Sequence, residues 1–165
     1  MPAKETIRRA QRDRREGKSP STQAGEFVRE EIHHVREGKH GARSAKQAIA
    51  IGLSKARRAG VKLGAPAGNA SASTRRKVAQ DSAAGRHPGK KVSRTRSQAT
   101  ERALEHEGHG AASHRALSQH ARSAARKRSA SSRSGAAKKA ARTKGAAGRS
   151  AAAKKAARTR ARHSR

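Results

Sequence analysis

The sequence predicts a mostly α-helical protein: a small helical hairpin module joined to a long, disordered basic tail rich in Ala, Lys and Arg. Three observations lead there. Residues 19–63 hold the single Phe and most of the large aliphatic residues, in two runs of helical spacing, each with its own start and stop signals. The rest is mostly Ala, Gly, Ser, Lys and Arg. With no Trp or Tyr, a 32% hydrophobic share and a net charge of +31, the chain cannot bury enough apolar surface to order all 165 residues. The charge is also uneven, because residues 108–165 carry 17 Lys and Arg and no acid.

In chain order, residues 1–18 read as a charged N-terminal arm. Glu5 pairs with Arg8 and Arg9 at helical spacing and Gly17 is a stop, giving a short helix suited to lying on DNA. The first helix of the module spans about 20–36. Ser19 is its N-cap, Pro20 its first residue, and Gly38 the left-handed end. Ala24, Phe27, Val28, Glu31/Ile32 and Val35 form its inward stripe. The second helix spans about 45–59. Ser44 and Gln47 form a capping-box pattern, Gly60 ends the helix, and Val61 supplies the apolar contact of a Schellman end. Ile51 points away from Ile49, so this turn is apolar nearly all round. A hairpin this small with two apolar sides predicts a homodimer through Ile49, Ile51 and Leu53.

Residues 64–96 read as a linker with one helical turn near 74–80, and 97–128 as a weakly helical segment. Residues 129–165 form a basic repeat tail in which AAKKAART occurs at 136–143 and again at 152–159. Ala and Lys favour helix, but cation repulsion and the breaks at Gly135, Gly145 and Gly148 predict a largely unfolded tail that phosphates would order.

A block with no acid needs a polyanion, so the expected partner is DNA, with RNA as the alternative. The candidate contacts in the tail are Arg126, Lys127, Arg128, Lys138, Lys139, Arg142, Lys144, Lys154, Lys155, Arg158, Arg160 and Arg162. The hairpin adds Lys39, His40 and Arg43, just ahead of a helix N-terminus, and Lys55, Arg57 and Arg58 at a helix end. The order of Gly and Lys in this connector is not that of a Walker loop. The absence of aromatic residues from the tail argues against base stacking and for sequence-independent phosphate contact.

The nine histidines match no zinc spacing and read as solvated, so no metal is expected. No cysteine is present for disulfides or thiolate sites. The carboxylates read as helix ion pairs, so no enzymatic activity, cofactor or small-molecule substrate is expected. No apolar run is long enough for a signal peptide or a membrane span, which predicts a cytoplasmic protein at the nucleoid.

Two resemblances bear on this reading. STQAGEFVREEIHHVREGKHGARS and KQAIAIGLSKARRAG resemble a family of small basic bacterial proteins defined as a domain of unknown function. The Ala-Lys-Arg repeats are similar to tails of histone H1-like bacterial proteins, which implies nucleoid binding. The expected function is therefore sequence-nonspecific DNA binding. A ribosome-associated RNA binder, and a protein-interaction module with an accessory tail, are the alternatives.

Overall fold

The computed structural model describes residues 2–66, 70–87 and 93–163. Among them the structure is helical throughout: α1 (Lys4–Arg15), α2 (Pro20–Arg36), α3 (Ala45–Arg58), α4 (Ala72–Arg86), α5 (Arg94–Glu105), a 3₁₀ turn (Gly110–Ala112), α6 (His114–Arg126) and α7 (Ala130–His163), with no strand. The mostly α class is as the sequence predicts. The chain divides into two units, Met1–His120 and Ala121–Arg165.

The α2–α3 hairpin is the centre of the first unit. Its ends form as the local signals dictate. Ser19 Oγ accepts from the Thr22 amide at 3.4 Å, and Ser44 Oγ accepts from the Gln47 amide at 3.2 Å. Gln47 Oε1 reaches back to the Arg43 amide at 3.0 Å, one residue earlier than a strict capping box. Gly38 takes a φ of 72°, and the Lys39 amide closes on the His34 carbonyl at 3.0 Å. At the far end the Val61 amide closes on the Ala56 carbonyl at 3.1 Å, with the Val61 side chain packed on the core.

The two helices meet at Gly52, where an added Cβ would lie 2.7 Å from the Val28 Cα, so only glycine admits this approach. The core has two parts. Phe27, Ala10, Ala24 and Ala56 are buried together, with Ile7, Leu53, Val61 and Leu63 at their margin. Towards the connector, Ile32, Val35, Ala42 and Ala48 enclose Ala111 and Ala112 of the 3₁₀ turn, flanked by Val28 and Leu117.

The hairpin thus covers its faces with neighbouring parts of its own chain. The N-terminal arm is α1, docked on α2 with Thr6, Ala10 and Asp13 buried. Some of its charges are used internally: Arg9 Nε donates to Glu26 Oε2 at 2.7 Å, and Lys18 Nζ to Asp13 Oδ1 at 2.7 Å. The segment read as a linker contains α4, which packs on α3 with buried Asp81 accepting from Ser54 Oγ at 2.7 Å. Ile51, Ser54 and Arg58 share one face of α3 by spacing, so α4, which bonds Ser54 and Arg58 through Asp81, lies along the side that carries Ile51. Periodicity missed α4 because its packing uses small residues: Gly85 lies directly on the Arg57 carbonyl. The end of the linker and the weakly helical segment become α5, the 3₁₀ turn and α6, and the turn is core rather than accessory.

In the second unit, residues 130–163 are helical where the sequence predicts an unfolded tail. Only Gly145 leaves helical geometry (φ 65°, ψ 174°), while Gly135 and Gly148 stay inside the helix. The predicted break at Gly145 therefore forms, as a kink between two helical stretches, whereas at Gly135 and Gly148 the helix propensity of the surrounding Ala, Lys and Arg prevails. The two AAKKAART copies fold alike. The Thr143 hydroxyl donates to the Lys139 carbonyl at 3.0 Å, and the Thr159 hydroxyl to the Lys155 carbonyl at 3.1 Å.

Candidate nucleic-acid interface

Residues that bind a polyanion must present cations no internal acid has claimed, and by that measure tail and hairpin differ. Arg126, Lys127, Arg128, Lys138, Lys139, Arg142, Lys144, Lys154, Lys155, Arg158, Arg160 and Arg162 are all exposed, in a segment whose sequence has no acid. At 100° per residue, Lys138, Lys139 and Arg142 fall within an arc of about 100°. Lys154, Lys155 and Arg158 repeat that arc, so each AAKKAART copy presents one basic face.

In the hairpin the candidates scatter. Arg43 is exposed. Lys39 also reaches solvent, but its Nζ lies 3.0 Å from Glu37 Oε2. This hydrogen bond holds the Glu37 carboxyl below the usual carboxylate range. Arg58 Nε is 3.1 Å from Asp81 Oδ1, and the buried Arg57 Nε has no hydrogen-bond partner. Lys55 donates to Glu31 Oε2 at 2.6 Å. His40 is turned inward, with Nε2 3.4 Å from Glu31 Oε1. The connector itself is held from inside, its Gly41 and Ala42 amides donating to the Leu104 and Gly108 carbonyls at 2.8 and 3.0 Å. An added Cβ on Gly41 would run into the Glu107 carbonyl. Lys39, His40 and Arg43 therefore do not converge on one anion.

Glu31 has its own surroundings. It is fully buried, in contact with Lys55 and His40, and His34 stands with its ring centroid 6.0 Å from that of His40. Glu30 beside it is buried too; its Oε1 accepts from the Ala3 amide at 2.7 Å and lies 3.7 Å from His34 Nε2. Burial, more than the nearby Lys55 charge, pushes the His34 imidazole below its ordinary pKa. Reading His34 and His40 as solvated residues missed this cluster. Its signal was Glu31 itself, an acid set in the apolar stripe of α2.

Of the described residues, no helix is long and apolar enough to cross a membrane. Comparison with protein-family models finds no match, and no curated protein and no solved structure matches the chain.

Proposed function

We propose that this protein binds duplex DNA without sequence preference, as a histone H1-like nucleoid protein whose tail neutralises phosphates. One observation carries this reading: 17 Lys and Arg with no acid across residues 108–165, all twelve candidate tail positions exposed. Lys and Arg release the counterions condensed on a duplex, and that entropy drives binding whatever the bases are. The tail contributes charge, not catalysis. The tail's helices carry like charges that repel one another, and the phosphates of a duplex would cancel that repulsion.

The test is a titration of the full chain with duplex DNA, competed by structured RNA and followed by circular dichroism. The expected result is binding that weakens steeply with salt, helical signal retained on DNA, and weaker competition by RNA. Preferential capture by RNA would move the reading to a ribosome-associated protein, and affinity insensitive to salt would end it.

Self-association belongs to the same proposal, through the part of Ile49, Ile51 and Leu53 that the core and α4 leave exposed. A dimer would present two tails to one duplex and raise avidity through effective concentration. The full chain should sediment as a dimer at micromolar concentration, and Ile51→Glu should sediment as a monomer. A wild-type chain that is monomeric and stably helical would remove the dimer from the proposal.

A further inference from the structure

We propose that Glu31, His34 and His40 form a binding site for one divalent transition-metal ion of the zinc type. One donor atom from each residue lies within 4.8 Å of the other two. Glu31 is 0% exposed, and the side chains of His34 and His40 are only 22% and 17% exposed. A helix (α2) supplies Glu31 and His34, and the connector to α3 brings in His40.

The hydrogen bonding leaves a place for a cation. Glu31 offers two oxygens: Oε2 receives Lys55 Nζ at 2.6 Å, while Oε1 is buried without a hydrogen-bond partner. An orphaned, desolvated carboxylate oxygen is costly. His40 Nε2 lies 3.4 Å from it. Nδ1 of the same ring lies 3.1 Å from the Gly41 carbonyl, which can only accept, so Nδ1 carries the proton. In the neutral ring Nε2 then presents a lone pair to a carboxylate lone pair. Two acceptors facing one another need something positive between them.

A metal ion meets that need. Tetrahedral bonds of about 2.1 Å set donor atoms about 3.4 Å apart, the spacing of Glu31 Oε1 and His40 Nε2. A backbone carbonyl holding the second imidazole nitrogen is the outer arrangement such ligands use, and Lys55 fixes the carboxylate from its other oxygen. Two imidazoles with one carboxylate favour zinc, cobalt or nickel over magnesium or calcium, which take oxygen donors. The fourth position is left to water. The ion would tie the connector to α2, independently of any contact between the tail and DNA.

The probes are Zn²⁺ and Co²⁺ alone, added to the full chain without DNA. One equivalent of Zn²⁺ per chain is expected by calorimetry, and Co²⁺ should give the visible absorption of a four-coordinate site. His34→Ala and His40→Ala should each weaken Zn²⁺ binding by more than the roughly 10–100-fold that loss of an outer partner costs. A His106→Ala/His109→Ala control should bind as the wild type does. Should a ligand variant fail to fold, imidazole ¹⁵N resonances of the wild-type protein decide. On Zn²⁺ addition His34 and His40 should shift, His40 through Nε2, while His106, His109, His114 and His120 should not. No uptake by the wild-type chain, or shifts confined to the other histidines, would overturn the site. Glu31 would then be held through Lys55.

Discussion

Deleting residues 129–165 should flatten the salt dependence of DNA binding more than any other change to this protein. The deletion removes twelve Lys and Arg and no acid. The log–log slope is about −0.9 per phosphate on duplex DNA, so losing even half of those contacts lowers its magnitude by about 5. The cut belongs after Arg128 because α6 ends at Arg126 and the segment before it is structural. Ala111 and Ala112 are core, and Leu117 packs against them, so an earlier cut would confuse lost charge with lost folding. Affinity should fall alike on AT-rich, GC-rich and random duplexes, since phosphates carry no sequence information. A scrambled tail of equal composition should restore binding. A truncated chain that keeps its full slope, or a scrambled tail that fails, would show that charge density is the wrong mechanism.

The second large effect is on stability. Phe27→Ala should cost about 3–5 kcal/mol, since the side chain is the largest apolar group fully buried in the first unit and its removal leaves a cavity. Domains of this kind hold about 5–15 kcal/mol in all, so the loss takes a large part of the whole. Thermal melting by circular dichroism should show the first unit unfolding at much lower temperature, or without cooperativity. The tail should still bind DNA with its salt slope nearly unchanged, because none of its cations depends on Phe27. Unaltered melting would mean that Phe27 is not the centre of this core.

The hairpin was legible from sequence because its information is local. Ser19, Pro20 and Gly38 bound one helix, Ser44, Gln47 and Gly60 the other, and each acts on backbone groups a few residues away. The charge asymmetry was equally plain, because net charge needs no geometry. Helix in the tail was a matter of balance: Ala and Lys favoured it, repulsion and glycine opposed it, and periodicity could not weigh the two.

What the sequence by itself determined is therefore the helical class, the limits of α2 and α3, and the acid-free positive charge of the tail. Only the tertiary structure decided what covers the hairpin. Ala111, Ala112, Gly85 and Ala10 pack by being small, and small residues leave no amphipathic signature, so neither α4 nor the 3₁₀ turn announced a place in the fold. The same holds for which cations are free. Lys55 and Arg58 look like surface charges in the sequence, but Glu31 and Asp81 claim them across 24 and 23 residues of chain. His40 turns inward for a related reason: Glu31 sits in the apolar stripe of α2, where a carboxylate loses its water and must find partners among whatever side chains the connector brings to it.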